Sequence, residues 1–220
     1  MSCAKSEQSQ IFSEIVDAIK EHDNETVALL LQEVEDVNMQ DRREYSLVHF
    51  SAMFGNKEAL KMLLDMGADK YLVNDFNQDI LHFAVSLNYV NIIQYLVEKG
   101  YDCNIKDIMG NTPIFYAKSA EAARLLLENG ARIDVLSSKN RTALFYQRDI
   151  EVVELLVNNG VELDVIDVFG FTAALLFYEA NFMEGVRLLI NHGADISIKN
   201  KYGFSVELHA EYDGIDLNAM

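Results

Sequence analysis

Apolar residues recur in this chain as short paired bursts. Ile11, Phe12, Ile15, Val16 and Ile19 fall at helical spacing with an acidic, polar face between them. A turn at Asp23 and Asn24 follows, then a second helical run of Val27, Leu30, Leu31 and Val34. The polar residues 1–8 carry no such pattern and read as a disordered tail. The fullest version of the pair runs from Asp107 to Asp134. Gly110 marks a turn, Thr112 offers a hydroxyl to cap a helix, and Pro113 suits the first helical position, where no backbone donor is needed. Ala122, Ala123, Leu125, Leu126 and Leu127 form the second helix, and Gly130 supplies the left-handed residue that ends it. A unit this small cannot bury its apolar face alone, so copies must stack.

The copies keep a regular beat. Helix-ending glycines stand at Gly67, Gly100, Gly130, Gly160 and Gly193, at intervals of 33, 30, 30 and 33 residues. Helix-starting residues stand at Ser46, Asp79, Thr112, Thr142, Thr172 and Ser205, at intervals of 33, 33, 30, 30 and 33. Two signals with different physical origins, one for each helix, share one period.

The segments Ser46-Leu47-Val48-His49, Asp79-Ile80-Leu81-His82, Thr112-Pro113-Ile114-Phe115, Thr142-Ala143-Leu144-Phe145 and Thr172-Ala173-Ala174-Leu175, with Gly67-Ala68-Asp69 and Gly193-Ala194-Asp195 at helix ends, carry a resemblance. The pattern resembles the ankyrin repeat, D-x-x-G-x-T-P-L-H-x-A followed by a helix ending L-L-x-x-G-A-D. The resemblance implies an all-α solenoid of about six helix-pair units plus a truncated C-terminal cap unit, joined by short hairpin-like finger loops. The expected repeat domain is 9–212, with units 9–40, 41–73, 74–106, 107–136, 137–166 and 167–199, a cap unit 200–212 and a tail 213–220. The first unit lacks its glycine, Val34 holding the place, and looks like a terminal unit whose outer face water can cover. The family also implies that His49 and His82 tie their helix starts to neighbouring backbone. Phe115, Phe145 and Leu175 replace that latch with apolar packing.

Two consecutive units are three residues short, and the deletion falls between their helices, at Ala117-Lys118-Ser119-Ala120-Glu121 and Gln147-Arg148-Asp149-Ile150. Three residues are nearly one turn, about 4.5 Å of rise, so the first helix is expected to be shorter there. In an ankyrin array that would open a notch beside the concave face.

The formal net charge of −17 disfavours a phosphate-tracking surface and an anionic membrane. It is uneven: residues 1–40 carry nine acids against Lys5 and Lys20, whereas residues 41–74 balance. Besides solubility, such a charge attracts a basic partner. Cys3 and Cys103 make neither a disulfide framework nor a metal site, and Cys103 reads as a small packed hydrophobe. No signal-like or membrane-length apolar run is present, which gives the expectation of a cytoplasmic protein, monomeric when unbound.

No catalytic constellation is legible. The five histidines have no metal-ligand spacing, no glycine loop fits a phosphate, and no nucleophile elbow occurs. We therefore expect no enzyme, no metal and no cofactor. The turns are more informative. In ankyrin arrays they project as fingers whose tips often touch a partner. Here they hold Tyr45, Phe76, Ile108, Met109, Val168, Phe169, Phe171, Tyr202 and Phe204, and the row is interrupted by Ser138, Lys139 and Arg141. Aromatic residues and Met are enriched at interface cores and dominate binding energy. The implied function is an adaptor or inhibitor that holds another protein on its concave face and finger tips. Alternatives are a bacterial immunity protein neutralising a toxin, a bacterial effector binding a host protein, and a structural or regulatory spacer.

Overall fold

The computed structural model describes residues 2–217, which fall into two compact units divided after Tyr101. The first contains α1 (Ser2–Glu21), α2 (Asn24–Leu30), α3 (Leu47–Met53), α4 (Lys57–Asp65), α5 (Ile80–Ser86) and α6 (Val90–Glu98). First helices of successive pairs pack on one another, α1 on α3 and α3 on α5, and α2 packs on α4. Ile15, Ile19, Leu47, Leu60, Leu63, Ile80, Leu81, Ile92, Ile93 and Leu96 fill the space between the two layers and are fully buried. Burial of such side chains stabilises by about 1.5–3 kcal/mol each, which no single helix pair could gather.

The second unit contains a 3-10 helix η1 (Pro113–Tyr116), α7 (Ala120–Glu128), a 3-10 helix η2 (Ala143–Tyr146), α8 (Ile150–Asn158), α9 (Ala173–Glu179), α10 (Met183–Asn191) and α11 (Val206–Asp213). Its layers are η1, η2, α9 and α11 on one side and α7, α8 and α10 on the other. Phe115 and Phe177 are its largest fully buried side chains. Among the described residues there is no strand, only an isolated antiparallel bridge between Gln40 and Ser46.

The expected punctuation is present. Gly67, Gly100, Gly130, Gly160 and Gly193 have φ of 89°, 69°, 87°, 83° and 90°, the left-handed region in which an L side chain is strained. Asn56 does two jobs at α4: its Oδ1 accepts from the Ala59 N–H at 2.9 Å, and its Nδ2 donates to the Ile19 carbonyl of α1 at 3.1 Å. His49 acts as the expected latch. Its Nδ1 lies 2.8 Å from Ser46 Oγ and accepts from the Ser46 N–H, and its Nε2 lies 3.2 Å from the Gln78 carbonyl.

Four details differ from the sequence reading. Helix α1 starts at Ser2, so residues 2–8 are helical rather than a tail; no Gly or Pro interrupts them, and Gln8 clamps the chain after α2, donating to the Glu33 carbonyl and accepting from the Glu35 N–H. That clamp explains the second difference, because α2 ends at Leu30 instead of reaching Val34, and the chain leaves it through shorter-range bonds from Gln32 to Leu29 and Glu33 to Leu30. The first helices of the two short repeats are cut to four residues, as expected from the deletion, but they are also wound as 3-10 helices. Finally, Thr112 and Thr142 do not cap with their hydroxyls: both Oγ1 atoms are buried and find no partner, whereas Thr172 Oγ1 accepts from the Leu175 N–H at 3.2 Å above a full α-turn. At the C-terminal end α11 stops at Gly214, φ 69°; residues 218–220 of the expected tail, like Met1, lie outside the described residues.

Candidate protein-binding fingers

Six turns share one construction, at residues 41–45, 74–78, 107–111, 137–141, 167–171 and 200–204. In each, the first residue's N–H donates to the fifth residue's carbonyl, for example Asp107 to Asn111 at 2.9 Å and Asp167 to Phe171 at 2.9 Å. The first residue's side chain accepts from the backbone N–H of both the third and the fifth residue. Asp107 Oδ1 takes Met109 and Asn111 at 2.8 and 2.9 Å, Asp167 Oδ1 takes Phe169 and Phe171 at 2.9 Å each, and Asn200 Oδ1 takes Tyr202 and Phe204 at 2.9 and 3.0 Å. Asp41 and Asn74 do the same, and Ser137 does so with its hydroxyl. The fourth residue of each turn is left-handed: Glu44, Asn77, Gly110, Asn140, Gly170 and Gly203.

This construction fixes what each position can do. The first residue is held inside the turn, as with buried Asp107 and Asp167. The second and third form the tip. The fifth lies at the base, beside the start of the next helix. Phe76, Ile108, Met109, Val168, Phe169 and Tyr202 are tip residues, and with Phe204 they are between 39% and 74% exposed. Tyr45 and Phe171 are base residues and only half exposed, so the sequence reading merged two kinds of position. Tyr45 packs with its own unit, its ring centroid 5.9 Å from His49, 5.8 Å from Phe50 and 5.7 Å from Phe83. Phe204 also sits at a base, with its ring 5.0 Å from that of His209, yet remains exposed.

Neighbouring tips are joined by backbone. In the second unit the Ser138 N–H donates to the Met109 carbonyl at 2.7 Å and the Val168 N–H to the Lys139 carbonyl at 3.1 Å, while Lys201 Nζ reaches the Val168 carbonyl. In the first, the Asp75 N–H donates to the Arg43 carbonyl at 3.2 Å. Gly170 is needed for this approach, because a Cβ there would lie 2.7 Å from the Lys201 backbone nitrogen. Arg141 closes the interrupted finger from behind. Its Nε and Nη2 donate to Asp167 Oδ2 at 2.8 and 2.6 Å, and its guanidinium lies over the rings of Phe145 and Tyr146. Behind the third finger, Tyr116 donates to Asp107 Oδ2 and accepts from Asn111 Nδ2 at 2.8 Å; burial, then the bond to Asp107, pushes its hydroxyl up to about 12.

Two features escaped the sequence reading. Phe50 and Phe83 each stand four residues after a helix start, and with Phe12, Phe54 and Tyr45 they form a half-exposed aromatic row in the first unit. The equivalent spacing from Ser46 and Asp79 was the available signal. The second is an open cleft of about 680 Å³ between α1 and the first finger, floored by Phe12 and Met39 and rimmed by Glu35, Asp36, Asp41 and Arg42. Among the described residues no group of three or more His, Cys, Asp or Glu could hold a metal ion, and no helix is long and apolar enough to cross a membrane.

Residues 15–107 match the family model described as ankyrin repeats, in three copies. The chain is 32% identical over 114 residues to the E3 ubiquitin-protein ligase KEG of Arabidopsis thaliana, a match covering 50% of this chain and 7% of that protein. It is 30% identical over 108 residues to the probable 26S proteasome regulatory subunit p28 of Saccharomyces cerevisiae, covering 47% of each. The chain thus spans less than half the length of these curated relatives. Among solved structures it is similar to the ankyrin repeat domain of Bcl-3, described as a unique member of the IkappaB protein family, with a TM-score of 0.71 over 88% of this chain and 91% of that one, at 21% identity. The repeated finger, the paired helices and these matches agree: residues 15–107 match ankyrin repeats by sequence, and most of the chain has the fold of an ankyrin repeat domain.

Proposed function

We propose that the chain is an adaptor or inhibitor that holds a partner protein on its finger tips and on the face beside them. Ankyrin repeats are protein–protein interaction modules, and their fold is a non-enzymatic scaffold. The observation that carries the finer reading is the exposure of apolar side chains at tips of turns closed by backbone and Asp or Asn hydrogen bonds. Ile108, Met109, Val168, Phe169 and Tyr202 stand in water on turns ordered by these bonds. Burying such side chains stabilises a complex, and little conformational freedom is lost because the turns are already ordered. A partner would be occupied by shape rather than transformed.

The test is truncation of the tips. Phe169→Ser together with Tyr202→Ser removes two large apolar contacts without touching the turn bonds, which use backbone and the Asp167 and Asn200 side chains. A partner captured with the unaltered protein from its native cell is then titrated against the variant by calorimetry. Loss of about 2 kcal/mol or more, that is 30-fold or greater, is expected from one central aromatic. Unchanged affinity in a folded variant removes the fingers from the interface.

A further inference from the structure

We infer that the partner surface received by the fingers of residues 102–220 is acidic as well as apolar, the opposite of what the net charge of this chain suggests. The inference rests on the proposal that these tips bind a protein and goes on to name the chemistry of that protein's surface.

The chain carries −17 overall, yet the eight tip positions of the four fingers in this unit hold no acidic residue. They hold apolar Ile108, Met109, Val168 and Phe169, and two cations, Lys139 and Lys201, in alternate fingers. The acids nearest to them in sequence are Asp107 and Asp167, which are turned inward, buried, and occupied by backbone N–H groups and by Tyr116 or Arg141. The turn construction therefore hides its negative charge and displays only positive charge. Neither Lys139 nor Lys201 pairs with a carboxylate among the described residues, although Lys201 Nζ also reaches the Val168 carbonyl. The backbone bonds that join the tips of residues 107–111, 137–141 and 167–171 hold the apolar and cationic positions in one fixed order.

Two further cations of this unit follow the 3-10 helices. The 3-10 helices of the two short repeats lead into Lys118 and Arg148, thirty residues apart at equivalent places and both exposed. Arg148 lies over the Phe177 ring and donates to the Gln147 carbonyl, without a carboxylate partner among the described residues. A basic partner would meet like charge at Lys139 and Lys201. An acidic, apolar segment meets complementary charge between its apolar contacts, which sets register.

The experiment pans a display library of random-sequence peptides against the full chain and against two variants, Lys139→Glu/Lys201→Glu and Phe169→Ser. Circular dichroism checks the fold of each, and Lys139→Glu alone serves if the double variant does not fold. The expected result is enrichment of peptides that mix Asp or Glu with large apolar residues. A selected peptide, measured by fluorescence anisotropy, should bind the charge-reversed variant roughly tenfold or more weakly at low salt, with the difference shrinking as salt is raised. Peptides that are rich in Lys or Arg, or free of charge bias, overturn the inference. Peptides weakened by Phe169→Ser but indifferent to charge reversal overturn it while leaving the finger interface standing. If nothing selected is sensitive to Phe169→Ser, both readings fall.

Discussion

Asp107, Asp167 and Asn200 show how much one side chain can decide. Each spends one oxygen on two backbone N–H groups, and so determines which of the next four residues faces water. Glycine at the fourth place matters unequally. Gly170 and Gly203 are both left-handed, but a Cβ at Gly170 meets the backbone of Lys201 while one at Gly203 meets nothing within 4 Å. Gly203→Ala should cost about 1 kcal/mol, the ordinary strain of that conformation, and Gly170→Ala about 3 kcal/mol, measured by urea unfolding. The buried, unpartnered hydroxyls of Thr112 and Thr142 give the opposite sign: Thr112→Val and Thr142→Val should leave stability unchanged or raise it by up to about 1 kcal/mol. His49 sets a pH dependence. Burial lowers its pKa below the usual imidazole value, so the folded protein keeps it neutral while the unfolded chain takes up a proton. Its contribution is complete above about pH 6.5 and is lost as pH falls below that. Urea midpoints measured from pH 7.5 to 5.5 should decline, and His49→Gln should flatten the curve.

At the level of elements, the three-residue deletion was legible and its geometry was not. Counting gave a shorter first helix in two repeats. Winding Pro113–Tyr116 and Ala143–Tyr146 as 3-10 helices follows from fitting Phe115 and Phe145 into the stack with one turn fewer, a condition set by the neighbouring layers. The early end of α2 belongs to the same class, since it is set by Gln8, more than twenty residues earlier. Asn56 is the strongest link of this kind, capping α4 and reaching α1 while fully buried. Asn56→Ala should destabilise by about 2–3 kcal/mol in chemical unfolding, combining a lost cap with an unpaired carbonyl at Ile19. Tip residues should behave otherwise: Ile108→Ser or Phe169→Ser should move stability by no more than about 0.5 kcal/mol, because each is exposed and outside the turn's own bonds.

Over the whole molecule, charge acts on stability and on recognition in different places. Self-repulsion at −17 opposes the compact state, and salt screens it. The midpoint of thermal unfolding should therefore rise between low salt and roughly 0.15 M, where the screening length falls to about 8 Å. The cationic tips act locally and would oppose that trend in a complex, which should weaken over the same range. By itself the sequence determined the repeat, its period, the helix pairs and the glycines that end them, because caps, left-handed glycines and helical periodicity are chemistry within a few residues along the chain. It also marked most of the exposed tip residues. Only the tertiary structure separated tip from base at Tyr45 and Phe171, left Thr112 and Thr142 without partners, and turned Asp107 and Asp167 inward so that the crest beside them carries positive charge. Those outcomes depend on which atoms of one repeat meet the next, and composition holds no record of that meeting.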